Sequence, residues 1–532
     1  MGDVQQRKST GDVRPDPAGT ATHPGIRREA VYVGMVILVA LVVRLLAMAR
    51  PVGDLAALSL SDDAFYYFEI ARNINRGLGS TFDGLGPTNG YHPLWMAVCV
   101  LAFRLFHASD SAPIYAAVSI AVLADVVSTY LVYIITLRLA RNAVAALCAM
   151  LIYAVGVHQV LLAINGLETS VTVLTFLMTA YLCLRVLERP ASGRHLILLG
   201  VSFGLLCMAR TDVGLFLTPA VVAAGVRAFR AGTIKASLGA GLAALVVVSP
   251  WLLWNLRTFG SISQVSGQAY IYWNHEIFAF RTGQGTAPPL LSKLSGLAYA
   301  VGAHICRYSP FGKLTAFLAP LALACVVLSR GKAAERRSEI MFWFWFVVVA
   351  LVMLVYFHGL YRWMIGPHYY APLAVAILVF VFAAAARVRA RWVVALLLVL
   401  GLVNVVVQYR YVKPPGQPGG YWPWQRTYLL ETRKRIDDTF PPGTVIAVTD
   451  SGIHGYYSPH TVINLDCVVN NACFRAIRSG DLYGYLREHK VNVLLLNEYH
   501  EEFMLSRLLP RTKLERKSFP WDKTQHYYRL KQ

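Results

Sequence analysis

Residues 61–95 read SDDAFYYFEIARNINRGLGSTFDGLGPTNGYHPLW and form a polar, turn-rich interval between long apolar segments. The spacing predicts a helix in the first part of this interval. One face of that helix would carry Asp62, Tyr66, Glu69 and Asn73. We interpret the interval as an active-site loop. The alternative interpretation is a simple helix N-cap, because Ser61 followed by two acids is favoured at any helix start.

The composition of the chain defines its class. Of its 532 residues, 56% are hydrophobic and 15% are charged, and the mean hydropathy is +0.48. A soluble globular protein could not bury that much apolar surface. The formal net charge of +21 does not indicate a nucleic-acid partner, because the basic residues occur in small groups between apolar runs. The sequence therefore predicts a polytopic α-helical membrane protein.

About eleven apolar segments are candidate membrane spans. They cover approximately residues 30–49, 113–137, 143–164, 170–187, 196–208, 213–227, 236–254, 313–329, 340–357, 368–386 and 392–408.

The loops between these spans predict the orientation of the chain. Five short loops are rich in Lys and Arg: 138–142, 185–195, 226–235, 330–339 and 387–391. The intervening short loops contain only Arg210 and Arg362 as basic residues. The positive-inside rule places the five basic loops in the cytoplasm, together with residues 1–29, whose composition predicts a disordered arm. We therefore expect a multi-pass protein of the cell membrane with a cytoplasmic N-terminus.

Two short apolar segments, 92–107 and 294–306, are ambiguous. Each is short for a membrane crossing and suits a re-entrant or interfacial helix. The charge pattern favours leaving both in the outer loops 50–112 and 255–312 of a membrane domain that spans residues 30–410. If both crossed, the number of spans would be thirteen.

Residues 424–532, here called the C-terminal domain, have the composition of a soluble protein and follow a Pro- and Gly-rich linker at 411–423. Apolar runs at 444–450, 461–466 and 491–499 predict strands, and helices are predicted at 424–438 and 478–489. The sequence therefore predicts a small extracytoplasmic α/β domain. Such a location permits a disulfide between Cys467 and Cys473, although the spacing leaves their pairing open.

Three further polar interruptions are predicted on the outer side, at residues 165–169, 209–212 and 361–370. Ionisable groups at membrane depth are costly, so they are usually paired or functional. Each has a structural alternative: Arg210 and Asp212 neutralise each other, Glu168 caps a helix, and Arg362 reaches the headgroups. Their convergence on one side predicts a shared site. Its candidate substrate-binding residues are Tyr66, Glu69, Tyr91, His92, Glu168, Arg210, Asp212, Arg362, His368 and Tyr369.

Acids, an arginine and aromatic rings beside lipid suit the transfer of a sugar from a lipid-linked donor. A carboxylate would deprotonate the acceptor hydroxyl. The departing lipid phosphate requires positive charge, supplied by Arg or by a metal ion. The candidate catalytic residues are Asp62 and Asp63.

Six motifs resemble the membrane glycosyltransferases of the GT-C superfamily, which includes protein mannosyltransferases, aminoarabinose transferases and arabinofuranosyltransferases. The motifs are SDDAFYYFEIARNINRGLG (61–79), TNGYHPLW (88–95), INGLETS (164–170), ARTDVGLF (209–216), SPWLLWNLRTFGSISQVSG (249–267) and RWMIGPHYYAPL (362–373). The resemblance covers nearly all of residues 30–410.

The resemblance implies a hexosyl- or pentosyltransferase that uses a polyprenyl-phosphate sugar and an extracytoplasmic glycan, lipid or protein acceptor. It makes Asp62 the candidate base, with Asp63 as its neighbour, and makes Arg362 a candidate ligand of the donor phosphate. Asp62 and Glu168 would hold a divalent cation, Mg²⁺ or Mn²⁺, if one binds. Metal dependence stays open, because the second outer loop has a single acid where metal-using relatives have two.

Two other classes of function fit part of this pattern. A transporter or flippase of lipid-linked sugars would also place charges within the membrane, but it usually shows internal repeats that this chain lacks. A non-catalytic protein that binds lipid-linked sugars would keep the same acids without turnover. The clustering of acids at one face favours the transferase.

Overall fold

The computed structural model describes residues 24–190, 192–283, 306–328, 366–388, 391–412 and 420–531. Within them the chain is mainly helical, and a small sheet lies near the C-terminus. The predicted class, a polytopic helical membrane protein with an α/β C-terminal domain, is confirmed.

Fifteen helices of the described residues belong to the membrane part. They are α1 Pro24–Met48, α2 Val52–Leu58, α3 Asp62–Asn75, α4 Pro93–Leu105, α5 Ala112–Ala140, α6 Ala143–Val155, α7 Val157–Ala163, α8 Thr169–Glu188, α9 Gly193–Ala209, α10 Thr211–Arg230, α11 Ile234–Phe259, α12 Val265–Thr282, α13 Thr315–Leu328, α14 Ala371–Ala385 and α15 Arg391–Val412. Short helical turns lie at Cys306–Tyr308, Gly312–Leu314 and Pro367–Tyr370.

By length and composition, 7 helices of the described residues could cross a membrane, or up to 8 if α6 and α7 form one bent span. Helices α4 and α9 are apolar but shorter. The predicted span 340–357 and the segment 294–306 lie outside the described residues. The total of eleven spans therefore stays a prediction.

The predicted span 143–164 is broken in the structure. Helices α6 and α7 meet at an angle of 59°, and the backbone of Gly156 between them is extended, with ψ 124°. A Cβ atom at this position would lie 2.1 Å from Gln159 Oε1. The chain therefore turns within the apolar run at Gly156, a break that hydropathy alone does not reveal.

A buried ion pair lies beside this break. Arg44 of α1 is fully buried, and its Nε donates to Asp125 Oδ2 of α5 at 2.6 Å. Its Nη1 donates to Ala154 O at 2.8 Å, near the end of α6. Carbonyls left unpaired by a helix break are costly at membrane depth, so Arg44 compensates for the break. Neither Arg44 nor Asp125 was predicted from the sequence.

The C-terminal domain contains α16 Pro423–Thr427, α17 Arg433–Thr439, β1 Val445–Val448, α18 Gly452–Tyr457, β2 Thr461–Asn464, α19 Asn471–Ser479, α20 Leu482–Glu488, β3 Val493–Leu495, α21 Glu498–Phe503, β4 Leu514–Ser518 and β5 His526–Leu530. The strand order is β2-β1-β3-β5-β4. Strands β1, β2 and β3 are parallel, and β5 and β4 continue the sheet in antiparallel pairing.

The three predicted strands are thus found where they were expected. Strands β4 and β5 were not predicted, because their charged residues interrupt the apolar pattern. The helix predicted at 478–489 corresponds to α20, whereas α19 was not predicted; Gly480, in the left-handed conformation (φ 77°), ends α19. Cys467 and Cys473 form a disulfide, which answers the question that the sequence left open.

The C-terminal domain packs directly on the membrane part. Residues of α12, including Trp273 and Ile277, share a hydrophobic core with β2 and α19. Trp273 Nε1 donates to Asp466 O at 2.6 Å. Near the end of the linker, Tyr421 N donates to Leu58 O at 2.9 Å. These contacts position the C-terminal domain against the first outer loop.

Candidate active site

Helix α3 carries its acids on two different faces. Ser61 occupies the N-cap position but makes no side-chain capping bond, and Asp62 and Asp63 lie in the first turn of the helix. Asp62 Oδ2 accepts a hydrogen bond from Gly452 N at 3.0 Å, and its Oδ1 accepts one from Ile453 N at 2.8 Å. The Asp62 carboxylate therefore faces the start of α18 in the C-terminal domain.

The rest of this face also contacts protein. The hydroxyl of Tyr66 accepts a hydrogen bond from Ser451 N at 3.0 Å. Glu69 pairs with Arg72, which donates to Tyr456 O at 2.8 Å. The predicted polar face of α3 is therefore present in the structure, and it packs against the C-terminal domain.

Asn73, at the end of the same face, holds the loop that follows α3. Its Nδ2 donates to Thr81 O at 3.0 Å and to Phe82 O at 3.1 Å. The predicted loop after α3 is thus tied back to the last turn of the helix.

Asp63 and Tyr67 lie on the second face, four residues apart. The Tyr67 hydroxyl donates to Glu168 Oε2 at 3.1 Å and accepts from His92 N at 3.1 Å. Asp63 is exposed. This face therefore points towards the second outer turn, residues 165–169, and towards an opening that solvent reaches.

The Asn165-Gly166 pair shapes the second outer turn, as predicted. Gly166 adopts the left-handed conformation with φ 73°, and a Cβ atom there would lie 2.7 Å from Ala64 Cβ. Trp95 Nε1 donates to Gly166 O at 2.9 Å. Glycine thus lets the turn pack directly on α3. Glu168 then occupies the N-cap position of α8 without making a capping bond, so its carboxylate is free to bind elsewhere.

Arg210 joins two acids in a buried cluster. Its Nη1 donates to Glu168 Oε1 at 2.9 Å, and its Nε and Nη2 donate to the two oxygens of Asp212 at 3.0 and 3.1 Å. The guanidinium lies 4.0 Å from the centre of the Tyr369 ring. The expected pairing of Arg210 with Asp212 is present, and it extends to Glu168. We call Glu168, Arg210 and Asp212 the Arg210 cluster.

Two histidines border the Arg210 cluster. His92 Nε2 lies 3.7 Å from Glu168 Oε1, and its Nδ1 has no hydrogen-bond partner among the described residues. The ring of His368 lies 4.4 Å from that of Tyr369. The structure thus brings together predicted residues from the segments 165–169, 209–212 and 366–370 and from the loop that carries His92.

Desolvation and neighbouring charge set the protonation of the acids. Asp63 reaches the opening but is surrounded by protein, and this desolvation raises its pKa to about 7, with the negative charges of Asp450, Asp466 and Glu168 adding to the shift. Burial also raises the pKa of Asp62. The hydrogen bond from the Ile453 amide lowers this pKa but does not cancel the effect of burial. For Glu168, burial is outweighed by His92 and Arg210, which hold its pKa below its usual value. Asp63 can therefore exchange a proton near neutral pH.

Tyr91 belongs to an aromatic wall near the second face of α3. Its ring centre lies 5.3 Å from that of Trp251 and 6.5 Å from that of Tyr67. Its hydroxyl bonds with Ser80 Oγ at 2.7 Å. Such a wall suits the apolar face of a sugar ring.

Two acids of the C-terminal domain were not predicted from the sequence. Asp450 and Asp466 follow the ends of the parallel strands β1 and β2, which pair in register as Val448 with Asn464. Asp466 Oδ2 accepts from Asp450 N at 2.9 Å and lies 3.4 Å from the Tyr66 hydroxyl. Ligands of α/β folds often bind at the carboxyl ends of parallel strands. That rule, applied to the predicted strands, would have found both residues.

Asp62 and Glu168 do not fit a shared cation. The oxygens of Asp62 accept two amide protons, and Glu168 is paired with Arg210. Within the described ranges, no group of three or more His, Cys, Asp or Glu is arranged to hold a metal ion. Arg362, the candidate phosphate ligand, lies outside the described residues. Metal dependence therefore stays a prediction, and we derive no step through a metal.

Residues 92–254 match the family described as dolichyl-phosphate-mannose-protein mannosyltransferase, and residues 422–530 match one described as a domain of unknown function (DUF8728). No curated protein matches the chain significantly in sequence. Together with the solved structures that follow, these results identify the fold as that of the GT-C superfamily of membrane glycosyltransferases and confirm the predicted resemblance.

Similar solved structures cover almost the whole chain. ArnT from Cupriavidus metallidurans, bound to undecaprenyl phosphate, has a TM-score of 0.55 and 15% identity, over 94% of this chain and 98% of ArnT. The oligosaccharyltransferase from Archaeoglobus fulgidus, tethered to an acceptor peptide containing the NVT sequon, has a TM-score of 0.53 and 15% identity, over 95% of this chain and 74% of that one. The archaeal oligosaccharyltransferase AglB from Archaeoglobus fulgidus, in complex with an inhibitory peptide and a dolichol-phosphate, has a TM-score of 0.50 and 13% identity, over 95% of this chain and 74% of that one.

Proposed function

We propose that the protein is a glycosyltransferase that moves one sugar from a polyprenyl-phosphate donor to a hydroxyl of an extracytoplasmic glycan, lipid or protein. The observation that carries this proposal is the placement of Asp63, beside the Arg210 cluster, within a GT-C fold. The lipid phosphates in the similar structures, undecaprenyl phosphate with ArnT and dolichol-phosphate with the oligosaccharyltransferase, support a lipid-linked donor.

The reaction requires a base for the acceptor hydroxyl. The carboxylates of Asp62 and Asp63 begin α3 beside the opening, and a pKa of about 7 gives Asp63 useful basicity near neutral pH. His92 Nδ1 is buried and lacks a hydrogen-bond partner among the described residues, which supports a polar contact of His92 with the substrate. Tyr91 and Trp251 offer a surface for the sugar ring.

The charge of the site suits the donor sugar more than its phosphate. Arg210 is already neutralised, because it pairs with both Glu168 and Asp212. The cluster is therefore net negative when the histidines are neutral. Negative charge stabilises the positive charge that develops at the anomeric carbon of a glycosyl donor. The phosphate needs a separate cation, and Arg362 stays the candidate for it.

We place the site on the extracytoplasmic side of the cell membrane. The Lys- and Arg-rich loops support a cytoplasmic N-terminus. The Cys467–Cys473 disulfide supports an oxidising environment for the C-terminal domain.

A transfer assay tests this function. The full-length protein in nanodiscs would be incubated with a panel of radiolabelled polyprenyl-phosphate hexoses and pentoses, with cell-envelope extracts and hydroxyl-bearing peptides as acceptors. We expect a labelled product and release of polyprenyl phosphate from at least one donor. The double variant Asp62→Asn/Asp63→Asn should lose at least about 100-fold in rate, which is the contribution of a general base. The exposed Asp438→Asn is the matched control and should keep full activity.

Two results would contradict the proposal. One is the absence of transfer and of donor cleavage with every donor, combined with movement of intact lipid-linked sugar across the bilayer, which indicates a flippase. The other is a double variant as active as the wild type, which would remove both aspartates from the catalytic step.

A further inference from the structure

The side chain of Asn89, in the first outer loop, is fully buried where this loop meets both the membrane part and the C-terminal domain. Its Nδ2 donates to Asn255 Oδ1 of α11 at 3.1 Å and to Ser263 O, just before α12, at 3.3 Å. Its Oδ1 accepts from Val265 N at 3.0 Å and from Asn471 Nδ2 of α19 at 3.0 Å. Asn471 Oδ1 in turn accepts from Asn89 N at 3.3 Å. We call Asn89, Asn255 and Asn471 the asparagine junction.

Two backbone groups determine the orientation of the Asn89 amide. Ser263 O can only accept a hydrogen bond, and Val265 N can only donate one. The Nδ2 of Asn89 must therefore face the carbonyl and its Oδ1 the amide, which leaves the second lone pair of Oδ1 for Asn471 Nδ2. The hydrogen-bonding capacity of this buried side chain is thus filled. Removing one partner would leave a buried polar group unpaired, which is costly.

The C-terminal domain reaches the asparagine junction through residues 467–473, here called the disulfide loop because a Cys467–Cys473 bond closes it. Asn471 lies within this loop. Beside it, a Cβ atom on Gly90 would lie 1.9 Å from Val468 O, so a larger residue at position 90 would push the loop away. The disulfide loop therefore contacts two successive residues of the first outer loop, one through a side chain and one through its backbone.

The asparagine junction also joins the two segments that form the aromatic wall of Tyr91 and Trp251. Tyr91 follows Asn89 by two residues, and its N donates to Asn89 O at 2.8 Å. Trp251 lies one helical turn before Asn255, on the same face of α11. The Asn89–Asn255 hydrogen bond therefore links the segments that carry the two rings, whose centres are 5.3 Å apart. Gln264 Nε2 adds a hydrogen bond to Tyr91 O at 2.9 Å.

We infer that Asn89 and Asn471 are positioning residues: through the asparagine junction, the C-terminal domain holds the Tyr91–Trp251 wall in place and thereby sets the affinity for the donor sugar. This inference rests on the proposed function, in which the wall binds the sugar ring. It gives a role in substrate binding to a domain whose matching family is described as one of unknown function. Because the ring contacts the wall both before and during bond breaking, displacement of the wall should raise KM and leave kcat nearly unchanged.

Single variants test this role in the full-length protein. Asn471→Ala removes both hydrogen bonds to Asn89, so KM for the labelled polyprenyl-phosphate sugar should rise about tenfold, with kcat within about twofold of the wild type. Asn471→Asp keeps the volume, but its second oxygen would face Asn89 Oδ1, so KM should rise at least as much. Asn75→Ala is the matched control, because Asn75 Nδ2 donates to Ala71 O and Val100 O at 2.9 and 3.0 Å and so joins α3 to α4. It should lower the melting temperature and leave KM unchanged.

A double-mutant cycle tests the link between the junction and the wall. Tyr91→Ala removes one ring of the wall and should itself raise KM. If Asn471 acts through the wall, adding Asn471→Ala to Tyr91→Ala should raise KM by less than about twofold more. A further rise of about tenfold would show that the two residues act independently and would overturn the inference.

Hydrogen–deuterium exchange provides a readout that needs no transfer. The amides of residues 88–92 should exchange faster in Asn471→Ala than in the wild type, and their exchange should be unchanged in Asn75→Ala. Unaltered exchange in Asn471→Ala would overturn the positioning role. A wild-type KM for Asn471→Asp, or an equal rise of KM in Asn75→Ala, would do the same, because packing or general stability would then explain the effect.

Equilibrium binding separates this inference from the proposed function. If the wild type in nanodiscs transfers no sugar, the Kd for the tightest-binding radiolabelled donor of the panel replaces KM. A Kd about tenfold higher in Asn471→Ala would support the junction while the proposed function fails. An unchanged Kd, or no binding of any donor, would overturn both.

Discussion

Two buried arginines, Arg44 and Arg210, illustrate how similar ion pairs differ in their surroundings. Arg44 pairs with Asp125, and the two side chains are 0% and 5% exposed. The remaining Asp125 oxygen accepts from the Tyr153 hydroxyl at 2.6 Å. This pair lies beside a broken helix and is enclosed by protein.

Arg210 is also buried, but its partner Glu168 contributes to the raised pKa of the exposed Asp63. Its partners Glu168 and Asp212 lie beside His92, Tyr67 and Tyr369. Charges enclosed among apolar helices indicate a structural role, whereas charges beside other titratable groups indicate a functional one. The comparison therefore predicts that the same kind of substitution will affect stability at Arg44 and activity at Arg210.

The largest effect is expected for Arg44→Met. It leaves Asp125 buried without its cation and leaves Ala154 O unpaired, which should cost about 3–5 kcal/mol of folding stability. Thermal unfolding in nanodiscs, together with the fraction of monodisperse protein, measures this loss. The double variant Arg44→Met/Asp125→Leu removes both charges and should recover most of the stability. A double variant as unstable as the single one would show that the pair contributes more than mutual neutralisation.

The next largest effect is expected at the Arg210 cluster. In Arg210→Met/Asp212→Leu one carboxylate is removed with the arginine, and Glu168 keeps His92 and the Tyr67 hydroxyl as partners, so the melting temperature should fall less than in Arg44→Met. The rate should nevertheless fall by about 100-fold or more, about 2.7 kcal/mol, because Glu168 loses the cation that holds its geometry. The measurement is kcat/KM beside the melting temperature. Near-normal turnover would mean that both arginine sites are structural.

A smaller effect on activity is expected for Tyr67→Phe. The hydroxyl of Tyr67 connects Glu168 to the His92 amide, and its removal leaves both groups without this partner. We expect a rate reduction of about tenfold, about 1.4 kcal/mol, with a small change in melting temperature. Equal losses of stability and activity would indicate that Tyr67 only supports the fold.

The sequence predicted one of these arginine sites and missed the other. Arg210 and Asp212 are two residues apart, and they interrupt an apolar run at a predicted turn, so the local pattern revealed them. Arg44 and Asp125 are 81 residues apart, and each lies within a long span where its partner depends on tertiary packing. The same physical rule on the cost of buried charge applies to both, but only a structure identifies partners so distant in sequence.

The two faces of α3 show the same limit. The helical period correctly grouped Asp62, Tyr66 and Glu69 on one face. It did not reveal that this face docks on the C-terminal domain, because residues 451–456 are far away in the chain, as in the Tyr66 to Ser451 contact, with a separation of 385. Local patterns therefore predict which side chains act together, and tertiary contacts decide which of them remain available to a substrate.

Tyr153→Phe is the matched partner of Tyr67→Phe and should have the smallest effect. The Tyr153 hydroxyl donates to Asp125, as that of Tyr67 donates to Glu168. Its loss leaves Asp125 paired with Arg44, so we expect about 1 kcal/mol of destabilisation and unchanged kcat/KM. The two phenylalanine variants, measured side by side for melting temperature and transfer rate, should therefore give opposite patterns. A change in kcat/KM for Tyr153→Phe would mean that the break between α6 and α7 is coupled to the site, and that the enclosed ion pair is part of the catalytic machinery.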